Sequence, residues 1–447
     1  YVIAHPEDSL ESIFEFAYKL ARTYSYGGGS GGDLSYLCPA NAKVNNSAEK
    51  STGAVSFMEL FNLVTALISQ KGRRGALMLS MACDHPDIFE FVKAKSDLNK
   101  VTKANISVRF TAEFMQAVKD DADWELKFTR PETGETISRV IKAKELVDEI
   151  AFHAWDVGDP GCLFWDNICK WNLLSEDPEF AYDGTNPCGE EPLPAGGSCL
   201  LSAINLSEFV TDPFTADAKF DLCELERVVK FATVQMNILL DEGLPLHPLP
   251  EQRESVGKWR QIGIGIMGLA DAFIKMGIRY GSERSIKLIQ QIGSTLINGA
   301  LQQSALLAKE YGPYPAYKAD KVLASPFLQA VATDKTIKFI ERYGLYNSQL
   351  LTIAPTGTLS NMIGVSGGIE PLFAVSYMRK TETLHDEEKL YAVYSPIVAE
   401  IMGGEEVIDQ PLPSYITTAM DLNWHERLDV QSAFQYYIDA SISSTVN

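Results

Sequence analysis

Cysteine is scarce in this 447-residue chain and carries no pattern: the seven, Cys38, Cys83, Cys162, Cys169, Cys188, Cys199 and Cys223, include no pair at C-x-x-C spacing. That excludes a disulfide scaffold and a zinc ribbon alike. The six histidines form no H-E-x-x-H or comparable short ligand set, so no protein-ligated metal is expected. Positive charge is also in short supply, with 39 Lys and Arg against 59 Asp and Glu and a net charge of −20. Such a surface repels a polyanionic backbone and an anionic membrane, and so argues against a nucleic-acid or membrane partner. A small phosphorylated ligand stays admissible, because a nest of backbone N–H groups needs no net positive surface. There is no run of about eighteen apolar residues and no basic stretch in YVIAHPEDSLESIF, so the expectation is neither a membrane span nor secretion, but the cytoplasm. What is present, 46% hydrophobic and 22% charged residues, is the material of a globular protein.

The ends lack punctuation. Tyr1-Val2-Ile3-Ala4 reads as a strand already under way, and Ser443-Ser444-Thr445-Val446-Asn447 as another in progress. The expectation is therefore the middle of a larger protein, since domain edges favour exposed polar linkers. Between the ends, apolar positions at Leu10, Ile13, Phe14, Phe16, Ala17 and Leu20 predict a helix over 8–23, stopped by the glycine run Gly27 to Gly32. Helices are also predicted over 54–70, 86–94, 219–239 and 283–309, with strands at 76–79 and 105–110. The alternation is the βα rhythm of an α/β protein. Leu351 to Ala354 followed by Pro355 to Thr358 is a strand-to-loop switch of the kind where α/β enzymes bind ligands.

The densest chemistry lies in Asn186-Pro187-Cys188-Gly189-Glu190, where an amide, a thiol and a carboxylate occupy alternate positions. In an extended segment that spacing aims all three to one side, so that they could share a substrate. A packing cysteine in a turn is the competing reading, because free cysteines are commonly buried and Asn-Pro and Cys-Gly suit turns. Cys199 lies in the strand candidate 198–206, where core packing is the first expectation. Residues 355–361 would hold a phosphate if a helix begins near Ser360, or would form an ordinary N-cap. The glycine run is either a tight turn or a close approach of backbone to ligand. Arg73 and Arg74 either meet phosphate or sit on a solvated turn.

Together, TYSYGGGSGGDLSYL, KSDLNKVTKANISVRF, GDPGCLFWDNI, NPCGE, GSCLLSAINLSEF, APTGTLSNMIGVSGGIEPLFAVSYMRK and AFQYYIDASISSTVN, in order through the chain, resemble the catalytic subunit of ribonucleotide reductases. The likeness is greatest to the class II, adenosylcobalamin-dependent group. It implies an α/β fold, a ten-stranded barrel of two antiparallel halves of five parallel strands, with a central finger loop. Residues 1–447 would be an incomplete catalytic barrel, without the N-terminal allosteric region, the first redox-cysteine segment and the C-terminal tail.

The same resemblance implies the chemistry. Cys188 would carry a thiyl radical that abstracts the ribose 3′ hydrogen, Glu190 would take the 3′-hydroxyl proton, Asn186 would hold the polarised oxygens, and the 2′-hydroxyl would leave as water. Cys199 would be one of two reducing thiols that end as a disulfide. Pro355, Thr356, Gly357, Thr358 and Leu359 would wrap the substrate phosphate and Gly28 would approach the nucleotide. Asp97, Lys100, Lys103 and Asn105 would belong to the effector-specificity loop. The implied cofactor is adenosylcobalamin, and the implied partners are a ribonucleoside diphosphate, a dNTP or ATP effector, a thioredoxin-like dithiol reductant and a second copy in a homodimer. Ser30, Val365 and Gly367 depart from the family's frequent residues, and none of them touches the N-P-C-G-E segment. Alternatives are a class I large subunit served by a separate radical-generating subunit, and an inactive nucleotide-binding component.

Overall fold

The computed structural model describes residues 1–44, 49–70, 73–131, 133–381, 389–404 and 411–446. Lys71 and Gly72 of the predicted basic turn, and the side chains of Arg73 and Arg74, lie outside the described set. The chain divides into two units: Tyr1–Cys199 with Leu240–Gln261 and Asp320–Phe327, and Leu200–Leu239 with Ile262–Ala319 and Leu328–Asn447.

In the first unit, α1 (Leu10–Ser25) begins where the Ser9 hydroxyl accepts the Ser12 N–H, and it stops before Gly27 at φ +84°. Its buried stripe of Ile13, Phe16, Ala17, Leu20 and Tyr24 follows the helical period. It packs on α2 (Met58–Leu67), which a 3-10 turn over Ala54–Phe57 precedes, so the predicted helix over 54–70 is shorter and tightens at its start.

The unit's sheet begins with β1 (Ser30–Asp33), β2 (Leu77–Ala82) and β3 (Ala104–Phe110), parallel neighbours in that order. An antiparallel hairpin, β4 (Asp123–Thr129) and β5 (Thr136–Lys142), and helix α3 (Ala143–Val157) intervene before β6 (Gly161–Phe164) joins β3 in parallel. A parallel bridge from Val2 to Gly31 adds a fifth backbone beside β1. Leu77, Leu79, Met81, Ile106 and Val108 of the sheet and Phe16, Leu20, Phe61 and Phe91 of the helices share one buried core. Near-continuous burial along β2 and β3 is what covered parallel strands require. A short antiparallel pair, β7 (Gly184–Thr185) and β8 (Pro192–Leu193), closes the loop between them.

In the second unit, β9 (Leu200–Asn205) pairs in parallel with β10 (Ile262–Met267). Parallel bridges from Ile264 to Leu351 and from Ile353 to Ile442 extend the set to four backbones. The buried carboxyl of Asp439 fixes this edge by accepting the N–H groups of Leu350 at 2.8 Å and Leu351 at 2.7 Å. The long helix α4 (Glu283–Tyr311) is capped by Ser282 and packs on α6 (Trp424–Gln435), with the short α5 (Gly357–Ile363) between them in sequence. A hairpin of Ser376–Thr381 and Lys389–Tyr394 precedes α6. Among the described residues, each unit thus holds one parallel set, five backbones in the first and four in the second, where the resemblance implies five and five.

Candidate active site

The segment carrying Cys188 is a turn, not the extended strand that period-two spacing allowed. Asp183 N–H donates to the Leu193 carbonyl at 2.9 Å below the β7–β8 stem, and Asn186 N–H to the Glu191 carbonyl at 3.1 Å above it. Gly189 N–H then returns to the Asn186 carbonyl at 3.1 Å, with Gly189 at φ +83°, a conformation that glycine adopts without a Cβ penalty. The Asn186 amide oxygen accepts the Glu191 N–H at 3.0 Å, and its side chain also bonds to Glu190. Amide, thiol and carboxylate are therefore grouped by a turn: Cys188 is exposed at the tip, while Glu190 is buried.

Electrostatics sort these groups. Desolvation pushes the Cys188 thiol up to about 11, with the Glu190 charge adding to the shift, so sulfur remains S–H near neutral pH. Burial also raises the Glu190 carboxyl, and the Asn186 hydrogen bond pulls it partly back. Cys199 is half-buried, and its thiol is held well above the ordinary range by burial first and then by the neighbouring Glu191 carboxylate, to which it hydrogen-bonds. The structure thus brings Cys199 beside the segment that carries Cys188. None of the seven cysteines is joined in a disulfide.

The stem rests directly on β1. A Cβ on Gly31 would lie 1.8 Å from the Thr185 carbonyl oxygen, so glycine is what permits that approach. Arg109 donates from Nη2 to the Asp183 carbonyl, places Nη1 3.1 Å from Asp33, and lies over the Trp165 ring at 3.8 Å. His5 holds the Asp183 carboxylate through its backbone N–H at 2.8 Å and through Nδ1 at 2.5 Å, and its ring stacks on Tyr36 at 3.7 Å. Arg109, Asp33 and His5 were not singled out from the sequence. Charges inside the otherwise apolar strands GGD and ANISVRF were the available signal.

Gly28 follows α1, where a Cβ would meet the Tyr1 ring at 2.6 Å and Thr23 at 2.9 Å, so the chain itself makes a close approach there. Asp97 and Lys100 are exposed, with Lys100 Nζ 3.7 Å from Glu59 and the Asp97 carboxylate accepting the Asn99 N–H at 3.0 Å. Lys103 is anchored through its N–H to Asn62 at 2.7 Å. Asn105 lies beyond the loop as the second residue of β3, and its Nδ2 donates to the Pro187 carbonyl at 2.7 Å.

In the second unit, Pro355, Gly357, Thr358 and Leu359 are exposed, and α5 begins at Gly357, three residues before the expected Ser360. Thr356 takes a left-handed φ of +50°, and its Oγ1 accepts the Gly368 N–H at 2.9 Å. A Cβ on Gly357 would meet nothing within 4 Å. The loop is therefore braced from behind and open at Gly357. A cavity of about 450 Å³ adjoins it, lined among others by Pro355, Gly357, Asn361, Phe373, Tyr377 and Tyr394.

The family model for the ribonucleotide reductase barrel domain matches residues 1–447. A vitamin B12-dependent ribonucleoside-diphosphate reductase of Thermoplasma acidophilum is 34% identical over 98% of this chain and 56% of its own length. Its counterpart from Mycobacterium tuberculosis is 33% identical over 99% of this chain and 62% of its own length. The ribonucleoside-diphosphate reductase large subunit of monkeypox virus is 26% identical over 84% of this chain and 52% of its own length. The chain therefore spans less than two thirds of the length of these relatives. This chain belongs to the ribonucleotide reductase family, of which it carries the barrel domain.

Proposed function

We propose that this chain is the catalytic barrel of an adenosylcobalamin-dependent enzyme that reduces ribonucleoside diphosphates to 2′-deoxyribonucleoside diphosphates. The observation that carries the reading is the exposed Cys188 thiol on the same turn as the buried Glu190 carboxyl, with the Asn186 side chain bonded to that carboxyl. A hydrogen atom can be taken only from S–H, so this environment fits a radical-generating cofactor better than it fits a nucleophilic cysteine, whose thiolate must be favoured. Adenosylcobalamin, when bound, would supply homolytic hydrogen-atom chemistry, and Cys188 is the residue that would meet it.

The protein's own groups do the rest. The Cys188 thiyl takes the ribose 3′ hydrogen, and the Glu190 carboxylate takes the 3′-hydroxyl proton. The Asn186 amide steadies the oxygens on which charge develops. The 2′-hydroxyl leaves as water, and the ribose gains its two electrons from a pair of thiols that become a disulfide. Cys199 is one of the pair. Cys188 then returns the hydrogen atom to C3′ and Glu190 returns the proton to the 3′ oxygen, which leaves Cys188 as the thiyl again, and a dithiol protein reductant of thioredoxin type restores the two reducing thiols. Pro355, Thr356, Gly357, Thr358 and Leu359 hold the diphosphate. Asp97, Lys100 and Lys103 answer to a bound dNTP or ATP within a homodimer.

The test is deoxynucleotide formation from a ribonucleoside diphosphate by the longest encoded form, with dithiol, with and without adenosylcobalamin. Product that requires the cofactor supports the reading. Product only after addition of a separate radical-generating subunit replaces it with the class I reading, and nucleotide binding without product under either condition replaces it with an inactive component.

A further inference from the structure

Asn105 and Arg109 stand four residues apart on β3, two pleat periods, so their side chains leave the same face. Their targets are four residues apart as well. Asn105 Nδ2 donates to the Pro187 carbonyl at 2.7 Å and Arg109 Nη2 donates to the Asp183 carbonyl. One strand thus grips the hairpin at its tip, a single residue before Cys188, and at its base. The base grip is itself held fast, because Arg109 is buried against Asp33 and the Trp165 ring, while His5 holds the Asp183 carboxylate from another side. A side-chain donor to a main-chain carbonyl restrains the peptide plane, which apolar contact with a Pro ring does not.

We infer that Asn105 and Arg109 are positioning residues for the Cys188 thiol, clamping the turn at the Pro187 and Asp183 carbonyls. The inference rests on the reading of Cys188 as the reactive thiol, and neither residue touches a reacting atom. Desolvation holds the thiol up at about 11, so loosening the turn hydrates the sulfur, raises its thiolate fraction and speeds its alkylation.

Peptide-resolved alkylation by iodoacetamide in the full-length protein reads this without requiring turnover, with the exposed Cys223 as internal reference. Asn105→Ala and the similarly sized, uncharged Asn105→Leu both lack the donor, at an exposed strand position. Each is expected to raise Cys188 labelling relative to Cys223 at least threefold with an unchanged melting midpoint. Arg109→Lys keeps the charge beside Asp33 but loses the fork, and raises the same ratio. In turnover the Asn105 variants lower kcat and leave KM in place. Labelling that rises in Asn105→Ala but not in Asn105→Leu assigns the effect to packing and overturns the inference, as does labelling equal to wild type in all three variants. Altered labelling in a protein that makes no deoxynucleotide upholds the clamp and overturns the proposed reaction instead.

Discussion

Asn186 and Glu191 close the thiol-bearing turn on each other: the backbone N–H of Asn186 donates to the Glu191 carbonyl at 3.1 Å, and the Glu191 N–H donates to the Asn186 side-chain oxygen at 3.0 Å. The same amide bonds to Glu190. Asn186→Ala removes the side-chain half of this closure and leaves the Glu191 N–H without its acceptor, a loss of about 1–3 kcal/mol. Under the proposed reaction it also removes a donor to the substrate, so kcat should fall roughly 100-fold or more. Thermal melts and deoxynucleotide formation measured on one preparation check both parts, and full activity in a destabilised variant would confine Asn186 to a structural part.

Glu190 as a base must be ionised, and burial holds its carboxyl above the ordinary range. Activity should therefore rise with pH through that raised value and level off above it. Glu190→Gln should abolish the acid limb and cost roughly 100- to 10,000-fold in kcat. A pH profile at saturating substrate distinguishes this from a purely structural carboxyl, whose replacement would lower the rate without changing the shape of the profile.

The helices α1 and α4 were legible because a 3.6-residue apolar period coincides with Ser9 and Ser282 caps. The hairpin β4–β5 was only half marked. Trp124, Leu126 and Phe128 alternate with Glu125 and Lys127, but no residue of the partner strand Thr136–Lys142 is fully buried. The chemistry of N-P-C-G-E was readable from residue type, whereas its shape was not. Alternation implies a shared face only in a strand, and the hydrogen bonds of Asn186 with Glu191 and Gly189 bend the segment into a turn. The Arg109 clamp was invisible for another reason. It joins β3 to Asp33 of β1, with β2 lying between, so it depends on register and sheet order that no local pattern encodes.

His5 gives the hairpin base a pH dependence of definite sign. Its hydrogen bond to Asp183 raises the imidazole above its ordinary value, against an opposing effect of burial. Asp33 adds to the rise and Arg109 subtracts from it, and Tyr36 stacks on the ring. A raised folded value means that the folded state binds the proton more tightly. The stabilisation is then complete below the unfolded value of about 6.5 and is lost as pH rises through the raised one. His5→Phe keeps a ring against Tyr36 and removes the ion pair, whose half-exposed setting limits it to about 1 kcal/mol. Melting midpoints of wild type and His5→Phe should differ most at low pH and converge as pH increases. A constant difference would show that the ion pair contributes nothing.

Gly31 sets two effects against each other, and their magnitudes decide the outcome. In a strand, Gly→Ala ordinarily stabilises by roughly 0.5–1 kcal/mol through the reduced freedom of the unfolded chain. At Gly31 the added Cβ would sit 1.8 Å from the Thr185 carbonyl oxygen and 3.2 Å from the Met78 Cβ. The first of these is backbone in the stem of the thiol-bearing turn, so no side-chain rotation relieves the clash. Overpacking of this kind costs about 1–3 kcal/mol, which exceeds the entropic gain. Gly31→Ala should therefore destabilise and, by lifting the stem from β1, should also depress deoxynucleotide formation. Gly243→Ala supplies the control, because a Cβ there meets nothing within 4 Å at an ordinary φ and should be neutral or stabilising. Equal melting midpoints for Gly31→Ala and Gly243→Ala would mean that the stem yields freely, and that its seat on β1 does not fix where Cys188 stands.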